Sequence, residues 1–196
     1  PTLSDGGIHK EVQLWDQRYN MIIERSFFGV DGKPVLSTDD SVHRYVYRYD
    51  EHGNEIEWAC FGTDGKPVNG RDGVHKEISV FDRRGNKIAW ILYGLAMTIL
   101  ETATYEFNKH NDPIKEAFWG NNGEPAESVG SYHMALAKYD DRGNEIESTY
   151  FDADGKPCQI LRPANGYYIK SVRGGYHKKI SSYDARGNIT NMKYFD

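Results

Sequence analysis

The chain has 196 residues, of which 38% are hydrophobic and 27% are charged, and its formal net charge is −5. This length allows either one domain with a real core or an array of small repeated units. The acidic balance excludes a nucleic-acid binder that relies on its overall charge.

The first feature along the chain is a repeated six-residue pattern: an aromatic residue, Asp or Asn, two variable residues, then Gly-Asn. The intact copies contain Gly53-Asn54, Gly85-Asn86, Gly143-Asn144 and Gly187-Asn188, and degraded copies occupy 15–20 and 107–112. We call the leading aromatic the anchor aromatic and the closing residue the anchor Asn. Regular self-similarity at about 30 residues is the signature of a repeat architecture.

Other positions keep step with this anchor. A histidine stands six residues before the anchor aromatic in every copy except the fourth, which has Glu101: His9, His43, His75, His133 and His177. An aromatic residue follows seven residues after the anchor Asn or its equivalent: Phe27, Phe61, Tyr93, Trp119, Phe151 and Phe195. Most copies then enter a second turn, as in TDGKPV at 63–68.

Each copy predicts a β-hairpin. The segments before and after the anchor alternate with period two, as in HRYVYRY at 43–49 and EIEWACF at 55–61. Gly and Asn both tolerate positive φ, which suits a short hairpin loop. Because a lone hairpin cannot bury its apolar face, neighbouring hairpins must supply the core.

The sequence therefore predicts an all-β fold, a single antiparallel array of about six hairpins and about twelve strands. The predicted repeats are 7–40, 41–72, 73–100, 101–130, 131–174 and 175–196. An open curved sheet, a solenoid of hairpins and a propeller-like ring all satisfy this pattern.

Three places depart from the regular repeat. The third copy lacks the second turn and continues as GLAMTILETATYEF, in which LAMTILETA fits a helix as well as a strand. The fifth copy carries an insertion at 159–174, and the sixth stops at Asp196. We expect that the natural protein continues beyond Asp196 or that a partner strand completes this end, which would allow self-association. A start at Pro1 indicates a processed or cut chain, and the chain shows neither a signal peptide nor an apolar run of transmembrane length.

The pattern Tyr-Asp-x-x-Gly-Asn, as at Tyr49 to Asn54, resembles the YD repeats of Rhs-type proteins, which build long β-sheet spirals that form shells or surface structures. The stretch YFDADGKP from Tyr150 resembles the repeats of choline-binding and glucan-binding cell-wall modules, whose aromatic hairpins bind sugars or choline. The resemblance implies a bacterial tandem-hairpin protein, secreted or at the cell surface, and makes sugar binding one of its expected roles.

No catalytic or metal site is predicted. The chain has no nucleophile elbow, no Gly-rich phosphate loop and no HExxH motif. Its recurring aspartates suit turns, whereas an active site needs residues of different roles in one place. The five recurring histidines lie tens of residues apart, unlike zinc ligands, so we expect each to hydrogen-bond the turn of a neighbouring repeat, with ligand contact as the alternative. We predict neither an enzyme nor a cofactor.

The insertion suggests one candidate ligand site. Residues 156–183 contain six basic residues and no acidic one. The candidate contacts are Arg162, Tyr167, Tyr168, Lys170 and Arg173. An anionic partner would be an acidic glycan, a phosphate group or an acidic protein surface, and nucleic acid is not expected beside the acidic remainder of the chain. The alternative is an extra hairpin turning at 163–166 with a solvated basic face.

Two tryptophans suggest a second candidate. Trp58 and Trp90 both stand four residues after the anchor Asn, where other copies have Glu24, Glu116, Ser148 and Met192. On a half-exposed face they would stack sugar rings, or they would pack between neighbouring repeats. We expect Cys60 and Cys158 to be small apolar side chains that fill space between larger ones, although the pair could also form a disulfide.

The composition and motifs together predict a non-catalytic repeat module for binding or scaffolding, with a protein or glycan partner. It would form part of a larger bacterial surface or secreted protein. The alternative is a carbohydrate-binding or cell-wall-binding module that uses exposed aromatic side chains.

Overall fold

The alternating segments on either side of each anchor form antiparallel strands in a computed structural model of the chain. The structure describes residues 8–18, 20–128, 132–160, 163–164, 167–168 and 175–196. In these residues the all-β hairpin prediction is confirmed. The helical interpretation of LAMTILETA fails except for a 3-10 turn at Leu95–Met97, because Ala96 has a positive φ of 58° and Ile99 begins a strand.

The chain divides into two compact units, Pro1–Glu101 and Thr102–Asp196. The strands of the N-terminal unit are β1 (Lys10–Asp16), β2 (Met21–Phe28), β3 (Arg44–Tyr49), β4 (Glu55–Phe61), β5 (Lys76–Phe81) and β6 (Lys87–Tyr93). The boundary falls within β7 (Ile99–Phe107), and the C-terminal unit continues with β8 (Pro113–Trp119), β9 (Met134–Tyr139), β10 (Glu145–Phe151), β11 (Pro163–Ala164), β12 (Tyr167–Tyr168), β13 (Lys178–Tyr183) and β14 (Ile189–Phe195).

Each of the six anchors lies at the turn of one hairpin. Hairpins 1 to 6 are β1–β2, β3–β4, β5–β6, β7–β8, β9–β10 and β13–β14. Inside each compact unit, every hairpin pairs with the next one along the chain. The short strands β11 and β12 pair only with each other in the described part of the chain.

The joints between hairpins repeat one register. Three residues of a second strand pair with the three residues that follow the repeat histidine of the next hairpin. In the N-terminal unit 24–26 pair with 44–46 and 57–59 with 76–78, and in the C-terminal unit 115–117 pair with 134–136 and 147–149 with 178–180.

A side-chain clasp closes the four intact anchor turns. In hairpin 2 the Asp50 carboxylate accepts bonds from the backbone N–H of Asn54, at 2.9 Å, and from the Asn54 side-chain amide, at 2.8 Å. We call this pair of bonds the anchor clasp, and it recurs in hairpins 3, 5 and 6. Gly53 takes a φ of 86°, which an L side chain would resist. At all four intact anchors the positive φ falls on the Gly and not on the Asn.

The first hairpin has one more residue in its turn than the others. Asp16 pairs with Met21, and Asn20 occupies the left-handed region with a φ of 54°. Every later residue of β2 is therefore displaced by one position relative to the sequence alignment. Arg25, not Glu24, is the structural equivalent of Trp58, and Phe28, not Phe27, is the equivalent of Phe61.

A register shift precedes the anchor aromatic in every hairpin. Where that aromatic is tyrosine, its hydroxyl reaches back to a backbone carbonyl of the preceding hairpin. Tyr49 donates to Ile22 O at 2.9 Å, and Tyr183 donates to Glu145 O at 2.9 Å. The bulge therefore turns the anchor tyrosine into a tie between successive hairpins.

The buried core is thin and lies at the joints. Its most buried side chains are small, such as Val42 and Cys60 in the N-terminal unit and Ala103 and Ala117 in the C-terminal unit. Cys60 and Cys158 are both in the thiol form. In the described residues, no helix has the length and hydropathy that crossing a membrane requires.

Candidate functional site

Trp58 and Trp90 lie on the same face of the N-terminal unit but on strands that are not neighbours. Trp58 on β4 is opposite Glu77 of β5, and Trp90 on β6 is opposite Ser79 of β5. Strand β5 therefore separates the two rings. Both side chains are half-buried.

The Trp58 ring is held by a polar contact and by packing. Its Nε1 donates to Glu77 Oε2 at 3.1 Å, and its ring lies 6.4 Å from the Tyr45 ring at a steep angle. Glu77 also accepts bonds from Ser79 Oγ at 2.7 Å and from Lys87 Nζ at 2.9 Å. Burial alone would raise the pKa of Glu77, but these three bonds outweigh it and leave that pKa lowered. This network ties neighbouring strands together.

A small cavity of about 90 Å³ lies beside Trp58 in the N-terminal unit. Tyr45 and Cys60 line it on one side, and Asp40 and Arg71 on another. The Tyr45 hydroxyl donates to Asp40 Oδ2 at 2.9 Å, so two of the polar groups that line this cavity are engaged with each other.

A larger groove occupies the equivalent face of the C-terminal unit. It has a volume of about 280 Å³ and lies over Ala135 and Ala137 of β9. In hairpin 2 the same positions, two and four residues after the repeat histidine, carry Tyr45 and Tyr47. The two alanines therefore leave open the space that tyrosine rings fill in the N-terminal unit.

Aromatic side chains wall the groove. Four tyrosines line it: Tyr105, Tyr132, Tyr139 and Tyr150. The Tyr132 and Tyr150 rings meet edge to face with centroids 5.3 Å apart. Burial raises the pKa of Tyr150 and of Tyr139, so both hydroxyls are neutral at pH 7.

The polar groups of the groove include two carboxylates and one hydroxyl. The negative charge of Glu145 is compensated by an ion pair with Lys179, whose Nζ is 2.7 Å from Glu145 Oε1. Glu116 Oε2 accepts a bond from the Tyr132 hydroxyl at 2.8 Å, and it forms no ion pair within the described residues. Ser148 is only 4% exposed, and its Oγ interacts with the Tyr150 hydroxyl but has no partner in hydrogen-bonding geometry in the same part of the chain. The groove thus carries one uncompensated carboxylate and one buried hydroxyl.

Three repeat histidines bond the backbone of the preceding hairpin. His43 Nδ1 is 3.3 Å from Val35 O, His75 Nδ1 is 3.2 Å from Val68 O, and His133 Nδ1 is 2.6 Å from Phe118 O. The same three rings meet an aromatic of the preceding hairpin edge to face: Phe28, Phe61 and Trp119. His9 and His177 enter the pairing through their backbones. No group of three or more His, Cys, Asp or Glu side chains suited to a metal ion occurs in the described ranges.

The basic insertion is only partly described. Arg162, Lys170 and Arg173 lie outside the described residues, and of Tyr167 and Tyr168 only the pairing of β12 with β11 is described. The other basic residues of this region form ion pairs. Lys156 pairs with Asp154, Lys178 with Glu147 and Lys179 with Glu145.

The groove on the C-terminal unit is the feature that sequence reasoning missed. Its floor is made by Ala135 and Ala137, which are unremarkable in a strand of alternating residues. The available signal was the contrast between MALAKY at 134–139 and RYVYRY at 44–49, where large side chains give way to small ones at matching positions.

The fold defines a tandem β-hairpin repeat protein. No family model matches the chain, and no curated protein matches it. Among solved structures it is similar to the crystal structure of TcdB2-TccC3-TEV, with 11% identity and a TM-score of 0.48 over 94% of this chain. This chain spans only 9% of that chain's length. The expected similarity to choline-binding and glucan-binding repeats stays a prediction.

Proposed function

We propose that the chain is a non-catalytic repeat module that binds or scaffolds proteins by accepting a further β-hairpin at strand β14. The observation that carries this proposal is the state of β14. It pairs with β13, lies at the edge of its sheet, and exposes every one of its side chains. The apolar ones include Ile189 at 53% exposure, Met192 at 46% and Phe195 at 40%.

The internal joints indicate what the edge would accept. In three of the four joints within the compact units, the second strand offers the third to fifth residues after the anchor Asn or its equivalent to the next hairpin, and in hairpin 1 these residues are displaced by one. Residues 191–193 are the corresponding residues of β14. Phe195 corresponds to Phe61, whose ring packs against His75 of the following hairpin. The partner that suits the exposed edge of β14 is therefore the first strand of another hairpin of this repeat, with the repeat histidine immediately before it.

The chemistry of the recurring acids supports a non-catalytic role. Asp50, Asp82, Asp140 and Asp184 all accept the bonds of the anchor clasp. They therefore serve the turns and do not converge on a reacting group. The wider expectation of a bacterial surface or secreted protein stays a prediction.

The first test is a calorimetric titration of the chain with a synthetic hairpin of residues 43–61. The second is sedimentation of the chain alone, which measures self-association. We expect saturable binding of the hairpin, and loss of at least tenfold in affinity when His43 of the hairpin is replaced by Ala. Met192→Lys on the chain should weaken binding, whereas Leu136→Lys, another exposed strand position, should not. Absence of both hairpin binding and self-association at millimolar concentration would overturn the proposal.

A parallel titration with glycans and cell-wall fragments, monitored by tryptophan fluorescence, tests the carbohydrate alternative. Saturable binding abolished by Trp58→Phe, a variant that keeps an aromatic ring but loses the bond to Glu77, would place sugar recognition on the N-terminal unit. A flat response would leave the Trp58 contacts with Glu77 and Tyr45 as purely structural.

A further inference from the structure

The groove over Ala135 and Ala137 combines features that a ligand site needs and a packing defect does not. It is concave, four tyrosines are among the residues that line it, and Glu116, Glu145 and Ser148 supply polar groups to the same lining. Ser148 lines this space with its Oγ buried, and its interaction with the Tyr150 hydroxyl falls outside hydrogen-bonding geometry. A buried hydroxyl in that state costs free energy unless a ligand or water satisfies it.

The charge of the groove selects the ligand. Lys179 compensates Glu145, and Lys115 is engaged by Glu106 at 2.7 Å. Glu116 is left as the carboxylate without a basic partner in the described part of the chain. A carboxylate beside tyrosine faces attracts an organic cation, because the ring quadrupoles and the negative charge act in the same direction.

The N-terminal unit shows which cation suits this position. Arg25 is opposite Tyr45, two residues after His43, and Glu116 is opposite Ala135, two residues after His133. Arg25 Nη2 bonds Glu11 Oε2 at 2.8 Å, and the Arg25 guanidinium lies 5.1 Å from the centre of the Phe27 ring. The N-terminal unit therefore fills this part of the face with its own guanidinium, carboxylate and aromatic ring.

We propose that the groove between Tyr105, Tyr132, Tyr139 and Tyr150 is a binding site for a guanidinium group, with Glu116 as its carboxylate partner and Ser148 as a second acceptor. A planar guanidinium stacks on tyrosine rings and bonds a carboxylate with two parallel N–H donors, which an ammonium cannot do. The group reaches the groove either on a free small molecule or on an arginine side chain of a peptide. This site is independent of β14, so hairpin addition can fail without affecting it.

The experiment is calorimetry on the full chain with four probes. Agmatine represents a free guanidinium, and a blocked Gly-Arg-Gly peptide represents an arginine side chain. Blocked Gly-citrulline-Gly is the neutral isostere, and blocked Gly-Lys-Gly carries an ammonium. We expect saturable binding of agmatine, of the arginine peptide or of both, with at least tenfold weaker binding of the citrulline and lysine peptides. Tighter binding of the peptide than of agmatine would identify a protein partner as the source, and the reverse a small molecule.

Three variants distinguish guanidinium binding in the groove from non-specific attraction to surface charge. Glu116→Gln keeps the shape of the side chain and should weaken guanidinium binding at least tenfold. Ala137→Tyr restores the residue of hairpin 2 and should block the groove. Glu124→Gln makes the same charge change on an exposed turn and should leave binding unchanged. Equal binding of the citrulline or lysine peptide, an unaltered affinity in Glu116→Gln, or no binding of either guanidinium probe at millimolar concentration would overturn the proposal.

Discussion

Asn108 and Asp112 form the anchor clasp with their residue types exchanged. The Asn108 side-chain amide donates to Asp112 Oδ2 at 2.8 Å, and the backbone N–H of Asp112 donates to Asn108 Oδ1 at 3.0 Å. In hairpin 2 Asp50 and Asn54 make the same two bonds with the carboxylate on the other side. The clasp therefore forms with the carboxylate and the amide in either order.

This exchange predicts a rescue. In hairpin 5, Asp140→Asn alone or Asn144→Asp alone leaves two like groups facing each other, and each should lower the melting temperature by about 2–4 °C. The double variant Asp140→Asn, Asn144→Asp rebuilds the arrangement of hairpin 4 and should recover most of the loss. Thermal unfolding followed by circular dichroism measures all three. A double variant as unstable as the sum of the single ones would contradict a symmetric clasp.

The clasp also predicts a loss of stability in acid. The bonds from Asn86 and the backbone lower the pKa of Asp82 from 3.8 to about 2, and the pKa of Asp140 and of Asp184 is lowered in the same way. Because these pKa values are lower in the folded chain, their contribution is complete above about pH 4 and disappears as the pH falls towards 2. Denaturant unfolding between pH 2 and pH 6 should show this decline.

Asp82→Asn serves as the matched control for the acid effect, since it cannot titrate. Its unfolding free energy should depend less on pH between 2 and 4 than that of the unaltered chain, whatever its absolute stability. The same pH dependence in both proteins would show that the acid sensitivity arises elsewhere.

His133 should be worth more to stability than an exposed histidine. It is buried, bonds Phe118 O, and packs against the Trp119 ring with centroids 5.1 Å apart. His133→Ala removes both contacts and leaves a carbonyl unsatisfied, which should cost about 2–4 kcal/mol. His110→Ala, on an exposed turn, should change stability by less than about 0.5 kcal/mol. Equal effects of the two substitutions would show that the repeat histidine is not a structural joint.

The two thiols should be slow to react in the folded chain. Burial raises the pKa of Cys60 to about 12 and that of Cys158 to about 11, so little thiolate is present at pH 8. Cys60 is also 1% exposed. Ellman's reagent should therefore label Cys60 only after unfolding, and Cys158 before Cys60. Rapid labelling of Cys60, or fewer than two thiols in unfolded chain, would contradict this arrangement.

Much of the fold could be predicted from the sequence, because the residue preferences of hairpin strands and turns depend on neighbours that are close in sequence. Period-two alternation and the Gly-Asn turn sufficed to predict the antiparallel array. The one-residue displacement in hairpin 1 could not be predicted, because a left-handed Asn20 can absorb an extra turn residue without changing the alternation on either side. Spacing alone therefore assigned Glu24 to the position that Arg25 occupies.

The groove was out of reach for a different reason. A concave site arises from the contrast between small and large side chains on four adjacent strands, and each alanine alone is uninformative. Trp58 and Trp90 attracted attention as large aromatics, yet the structure engages Trp58 with Glu77 and separates it from Trp90 by a strand. The basic insertion stays a prediction for Arg162, Lys170 and Arg173, which lie outside the described residues.

The tie made by the anchor tyrosine has a consequence for how such a chain can change in length. Tyr49, Tyr139 and Tyr183 each bond the carbonyl at the same position of the preceding hairpin, at Ile22, Pro113 and Glu145. Since that acceptor is a backbone atom, it is present whatever side chain the preceding hairpin carries. Removal or duplication of one whole hairpin therefore leaves an acceptor for this bond at the new junction, so a hairpin with an anchor tyrosine can follow any other hairpin of the array with the tie available.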